Sequence, residues 1–344
     1  MPTSPTSTML AEARAAPAVV RAQLAADEER YQALGAALRA APPAAIATIA
    51  RGSSDHAAHF FADLATMRTG VLAASLEPSL VTLHHARLRA GRLLAVAVSQ
   101  SGQSPDLVEP LAQLRGDGAC TVALVNDPAS PLASAAEWVL PLGAGPELAV
   151  PATKSFLASL AAGARLVAAW REDEALLAAL RALPAAIEDG LRQDWSAAVQ
   201  ALAGEERMFV VGRGLGLPVA LETALKLKET CGIHAEAFSA AELRHGPLAL
   251  AEPGFPVLVL ALRGPAQAEE VALAEELRRA GAKVLLAAPD GVAGRDLTLA
   301  TAPAEELDAA AAVASVYPMV EALARARGRD PDRPPRLVKV MTTR

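Results

Sequence analysis

Apolar residues along this chain fall into short runs bounded by glycine, serine and proline, and the runs alternate with longer stretches of helical spacing. Residues 93–98, Leu-Leu-Ala-Val-Ala-Val, contain no polar position, which predicts a strand covered on both faces. "AIATIAR" before it and "CTVALVN" and "EWVLPL" after it read the same way, with helical patterns such as "HAAHFFADLATMR" between strands. That rhythm predicts a parallel, doubly wound α/β sheet. Ahead of it, residues from about Met9 to Ala40 read as one helix ending before Pro42-Pro43. From about Lys154 to Leu202 the pattern is helical again, for two or more segments.

The rhythm then restarts. "IATIARGSS" at 46–54 matches "MFVVGRGLG" at 208–216, and Arg51-Gly52 falls on Arg213-Gly214. "LLAVAVSQSG" at 93–102 matches "FPVLVLALRG" at 255–264, and "DGACTVALV" at 117–125 matches "RAGAKVLLA" at 279–287. The near-constant offset predicts a duplicated α/β domain: a helical arm over 1–44, a first domain over 45–200 and a second over 201–344.

The copies differ in their loops. After the strand at 93–98 comes Ser99-Gln100-Ser101-Gly102-Gln103-Ser104, and Pro105-Asp106 then reads as a helix start. A serine-rich loop feeding a helix N-terminus offers hydroxyls, unpaired backbone N–H groups and a positive dipole end, which suit a phosphate. The bland alternative is that such serines only cap helices. Gly52-Ser53-Ser54 form a second loop of the same kind, also at the carboxyl end of a strand, where open parallel sheets place ligands. Two loops at such ends favour the phosphate reading. The second copy has Ala261-Leu262-Arg263-Gly264 instead and keeps no hydroxyl cradle.

That second copy carries the charged groups. Glu222, Lys226 and Glu229 are spaced by four and three, on one side of a helix from about Pro218 to Thr230. An exposed salt-bridge face is the usual meaning of such spacing, but Leu, Ala and Val surround these residues, so the helix reads as mostly buried. His245 lies in "ELRHGP", a turn, where a functional histidine is more at home than in a core. Gly212, Gly214 and Gly216 lack the third glycine of a dinucleotide fingerprint. His56, His59, His84 and His85 have no acidic companions at metal-site spacing, so no metal site is read here.

Bulk properties narrow the classes. With 344 residues, 52% hydrophobic and 20% charged, the chain can bury a large core, and a net charge of −6 argues against a nucleic-acid surface. Two distant cysteines, Cys120 and Cys231, give no disulfide or zinc framework. No signal peptide is read at the start and no membrane span anywhere, the nearest apolar run, Phe156 to Trp170, being broken by Gly163 and Arg165. The expectation is a cytoplasmic protein with no membrane partner.

At "ARGSSDHA", "SQSGQSPD", "AGPELAVPATKSF", "ALKLKETCGIHAEAFSAAELRHGPLAL" and "DPDRPPRLVKVMTTR" the sequence resembles the sugar isomerase (SIS) domain family in its tandem form. The likeness runs from about residue 45 to the end, and within the family it is closest to the isomerase half of glucosamine-6-phosphate synthase and to SIS-type glucosamine-6-phosphate deaminases. It implies two tandem SIS domains, each a parallel doubly wound sheet, with Gly52, Ser53, Ser54, Ser99, Gln100, Ser101 and Ser104 around the phosphate of a hexose 6-phosphate. Gln103-Ser104 stand where the synthase has Glu then Thr, and serine keeps the donor. Glu147 matches a sugar-site glutamate. Val150 matches a backbone contact, although Pro151-Ala152 depart from the family's "VASTK".

The resemblance further implies Glu229 as the base moving a proton between C1 and C2, with Lys226 beside it. It implies His245 as the ring-opening histidine, reaching the site of a neighbouring subunit, and Lys339 as a tail lysine that engages the sugar carbonyl. The types suit the work: imidazole shuttles protons near neutral pH, a carboxylate takes the C2 proton, and lysines stabilise developing negative charge. With residues 1 to about 45 too short for a glutaminase domain, the reading is a glucosamine-6-phosphate deaminase: hexosamine phosphate as ligand, no cofactor, and a homodimer or larger assembly with shared sites. The alternatives are an aldose–ketose phosphosugar isomerase, a fructosamine-6-phosphate deglycase, or a phosphosugar sensor. A sensor acting through protein contacts would be expected to lose the base and histidine.

Overall fold

The structure is a computed structural model that describes residues 6–339. The fold divides into two compact units. One, here the N-terminal unit, comprises Ala18–Glu147, Lys154–Arg181 and, at the far end of the chain, 338–339; the C-terminal unit comprises 6–17, Leu148–Thr153 and Ala182–Leu337.

Two helices open the chain, α1 (Thr8–Ala25) and α2 (Glu28–Ala40), where the sequence reads as one. The break falls at Asp27, which adopts a left-handed backbone with φ 56°. Its cause lies far along the chain. Arg165, 2% exposed, donates to the carbonyls of Gln23 and Ala26 at 2.9 and 2.7 Å, pairs with Glu28 at 2.7 Å and stacks 4.2 Å from the Tyr31 ring centre. The Gln23 carbonyl lies in the last turn of α1 and that of Ala26 just beyond it, where the helix no longer supplies i+4 donors.

The N-terminal unit is built on β1 (Ala45–Ile49), β2 (Ala73–Ser75), β3 (Leu93–Ser99), β4 (Cys120–Val125) and β5 (Trp138–Pro141), all parallel, in the order β2-β1-β3-β4-β5. Between them lie α3 (Ser53–Thr69), α4 (Ser79–Thr82), α5 (Pro105–Gly116) and α6 (Pro131–Ala135), and α7 (Lys154–Arg171) follows. Leu107, Leu111 and Leu114, spaced by four and three along α5, cluster with Ala95, Ala97 and Ala123 of the sheet. Chain order reverses between β1 and β3, so the loops leaving those two strands flank the sheet's switch point.

The C-terminal unit repeats the plan. After α8 (Glu174–Leu191) and α9 (Ser196–Leu202) come β6 (Arg207–Val211), α10 (Leu217–Lys226), β7 (His234–Phe238), α11 (Ala240–Leu243), β8 (Pro256–Leu260), α12 (Gln267–Arg279), β9 (Lys283–Ala288), β10 (Leu297–Thr298) and α13 (Asp308–Ala326). The sheet order β10-β9-β8-β6-β7, read from its other end, is that of the first sheet. The chain is thus an α/β protein with two parallel five-stranded sheets of one topology, as the repeat predicts.

One sequence expectation needs correcting. Among the described residues one helix, Glu305–Ala326, is long and apolar enough to cross a membrane, and the sequence reading passed over it. Within the fold 89% of that stretch is buried, so its apolar surface serves as core.

Candidate functional site

In the N-terminal unit the switch point is built from two loops and one arginine. β3 ends at Ser99, whose Oγ accepts the Gly102 N–H at 3.0 Å, and Ser101 Oγ accepts the Gln103 N–H at 3.3 Å. The loop thereby turns back on itself before α5. Gly102 is at φ 64°, and a Cβ there would stand 2.2 Å from Ser130 Oγ, so only glycine fits. Ser104 is the residue before α5, whose first turn holds Pro105 and Asp106. Ser99 is buried, while Gln100, Ser101 and Ser104 are half-buried. On the neighbouring strand Gly52, at φ 56°, leads into Ser53 and Ser54 at the start of α3.

Arg51 joins the two loops. Its Nε donates to Asp106 at 3.2 Å, and its Nη atoms hold both oxygens of Glu77 at 2.8 and 3.2 Å. Asp106 is 1% exposed, so this ion pair has a buried end and ties the turn after β1 to the first turn of α5. The sequence reading gave Arg51 no role, although the doubled Arg-Gly at 51–52 and 213–214 was the signal.

Glu147, in the same unit, is 4% exposed and accepts from the Ser155 N–H at 3.1 Å, Ser155 Oγ at 2.7 Å and Lys339 Nζ at 3.0 Å. It therefore serves the N-terminal turn of α7 and holds the tail lysine. Lys154 Nζ fixes the Pro146 carbonyl at 2.5 Å. Glu147 and Lys339 are thus brought together, and Lys154 and Ser155, of the same motif as Glu147, hold the loop that leads into α7.

In the C-terminal unit Lys226 Nζ lies 2.6 Å from Glu229 Oε2 and 3.3 Å from Glu222 Oε1. Lys226 and Glu222 are wholly buried, while the Glu229 side chain keeps 17% of its surface. The exposed salt-bridge alternative is thereby excluded. Burial works against the lysine's charge, but the two carboxylates outweigh it and its pKa lies above the ordinary lysine value. α10 ends at Lys226 and continues as a π-helical turn, Leu227–Cys231, which carries Glu229 and closes on Gly232 at φ 64°. Such turns recur at functional sites. The sequence reading extended an ordinary helix to Thr230.

His245 is exposed on the turn after α11, its N–H bonded to the Glu242 carbonyl at 2.9 Å. Among the described residues no hydrogen bond or ion pair joins its ring to Glu229. Val150 is half-buried, and its N–H donates to the Asp332 carbonyl at 3.1 Å.

At the second sheet's own switch point the chemistry is different. Arg213 pairs with Glu269 at the start of α12, the counterpart of the Arg51–Asp106 pair. Beside them Glu270 is 1% exposed, its Oε1 has no hydrogen-bond partner, and burial pushes its carboxyl up to about 8. This buried acid sits in the first turns of α12, behind the loop 261–264 that replaces the hydroxyl loop of the first copy.

These features define an α/β protein of two repeated domains, one bearing a serine-rich loop at its sheet's switch point and the other a buried carboxylate–lysine cluster. The SIS domain model matches twice, over residues 41–169 and 201–324, and the chain belongs to that family. It is 41% identical to a Silicibacter pomeroyi protein assigned as a phosphosugar isomerase, over 95% of this chain and 100% of that one, with a TM-score of 0.90. It is 37% identical to the glutamine–fructose-6-phosphate aminotransferase (isomerizing) of Aeropyrum pernix, over 73% of this chain but only 44% of that enzyme. The chain thus spans less than half of the length of that relative. The glucosamine-6-phosphate deaminase of Thermotoga maritima shares the fold, with a TM-score of 0.78 over 98% of this chain and 100% of that one at 21% identity.

Proposed function

We propose that this protein is an enzyme that moves a proton between C1 and C2 of a hexose 6-phosphate, and that its substrate is glucosamine 6-phosphate, released as fructose 6-phosphate and ammonia. The observation that carries the reading is the Lys226–Glu229 pair: a carboxylate at the surface of a buried cluster, held in place by a wholly buried ammonium. Such a carboxylate is a positioned base rather than a solvated charge. The serine loop supplies the other requirement, donors for a phosphate dianion at the start of α5, a helix of 12 residues.

In this reading His245 moves the proton that opens the ring, as a residue lent by a second copy of the chain. Glu229 takes the C2 proton and returns it to C1, leaving an imine at C2. Water adds to the imine, ammonia leaves, and the ketone remains. Lys339, held by Glu147, faces the developing oxyanion.

A second reading is aldose–ketose isomerisation of a sugar phosphate without nitrogen, which the 41% identity to the Silicibacter pomeroyi protein favours. The experiment is to offer glucosamine 6-phosphate, galactosamine 6-phosphate and glucose 6-phosphate separately, measuring ammonia and ketose phosphate. Ammonia in step with fructose 6-phosphate supports deamination. Ketose from glucose 6-phosphate alone supports isomerisation, and no turnover of any of the three sinks both.

A further inference from the structure

The N-terminal arm has no part in the chemistry described so far, yet it carries a buried acid. Glu12 of α1 is 7% exposed, and its carboxylate accepts the Leu148 N–H at 2.5 Å and the Ala149 N–H at 3.3 Å. Those are the two residues after Glu147. The next residue is fixed as well: the Val150 N–H donates to the Asp332 carbonyl at 3.1 Å. Asp332 in turn is fixed by the arm, since its carboxylate oxygens accept the N–H groups of Thr8 and Met9 at 2.8 and 2.7 Å. Both belong to the first turn of the 18-residue α1, where N–H groups have no intrahelical partner. Three consecutive backbone N–H groups, 148 to 150, are thus taken up by one arm residue and by one tail residue that caps the arm.

We infer that Glu12 is a positioning residue for the sugar: it sets the backbone of the Leu148–Val150 segment, with Asp332 as its partner in that task. Loop backbone is poorly constrained unless its polar groups are satisfied, and two charge-assisted bonds from one buried carboxylate are a strong constraint. The segment it sets includes Val150, the backbone contact expected for the sugar. The serine cradle lies on other segments of the chain, so Glu12 affects recognition of the sugar and leaves recognition of the phosphate alone. This inference rests on the reading of the site as one for a sugar phosphate.

The test uses the full chain and compares binding of glucosamine 6-phosphate with binding of inorganic phosphate, by calorimetric titration of wild type, Glu12→Ala and Glu12→Gln. Glu12→Ala weakens the sugar phosphate about tenfold, the scale of one lost charge-assisted bond, and leaves inorganic phosphate unchanged. Glu12→Gln, whose carboxamide oxygen still accepts one N–H, falls between. Equal weakening of both ligands, or wild-type affinity for both in folded Glu12→Gln, overturns the inference. If Glu12→Ala does not fold, Glu12→Gln decides alone. Because the readout is a ratio of affinities, a wild type that binds the sugar phosphate without turning it over sinks the functional proposal, and the ratio still judges this one.

Discussion

Lys226 and Glu229 form a 2.6 Å ion pair in which the ammonium is wholly buried and the carboxylate is not. The asymmetry makes the two residues separable by mutation. Glu229→Gln keeps the shape and a hydrogen-bond acceptor for Lys226 but cannot take a proton. Turnover of glucosamine 6-phosphate is expected to fall by about 10²–10⁴-fold, the usual worth of a positioned base, with little change in affinity. Steady-state kinetics and calorimetric titration check the two halves. Near-normal turnover in this variant removes Glu229 from the role of base.

Lys226→Met tests the same cluster from the stability side. It leaves Glu222, wholly buried, without its counter-charge. Breaking a buried pair by removing one partner is expected to lower stability by about 3–5 kcal/mol. Urea denaturation of the variant should show this as a lower midpoint, and Lys226→Met combined with Glu222→Leu should recover part of it.

The serine loop makes a separate prediction. Gly102→Ala places a methyl 2.2 Å from Ser130 Oγ at a φ of 64°. The loop must move, and affinity for inorganic phosphate should drop with it. Ser101→Ala with Ser104→Ala should raise KM for the sugar phosphate by about tenfold or more, since each removes a donor to a charged group. If phosphate competes equally well against all three proteins, the cradle is elsewhere.

Glu270 sets a pH dependence. Burial raises its carboxyl from 4.5 to about 8, so the folded chain keeps a proton there that the unfolded chain gives up near 4.5. Stability therefore falls as pH rises from about 4.5 to about 8 and levels off above. Glu270→Gln cannot ionise and should lose that slope. Denaturation midpoints at pH 5 and pH 9 in the two proteins measure it, and an unchanged slope in the variant refutes the assignment to Glu270.

How much of this is legible in the sequence depends on how far apart the causes lie. Strands such as 93–98 are plain because burial on both faces removes every polar position. The Glu222–Lys226–Glu229 cluster is plain because its members are near neighbours on one helix. The break between α1 and α2 is not, since Arg165 imposes it from 139 positions beyond Ala26. The pairing of Lys339 with Glu147 spans 192 positions, and family resemblance alone offered both residues. Glu12 shows the limit: a glutamate on an alanine-rich helix carries no mark of the backbone it holds until the fold brings Leu148 to it.

The π-helical turn at Leu227–Cys231 changes what spacing means on this helix. Its hydrogen bonds run from i to i+5, so the turn takes in about one residue more than an α-helical turn. An α-helix advances about 100° per residue and a wider turn advances less, so the bearing of Glu229 from Lys226 is not the one a regular helix gives a residue three positions on. A substitution that returned Leu227–Cys231 to α-helical winding would change that bearing without altering a single charge.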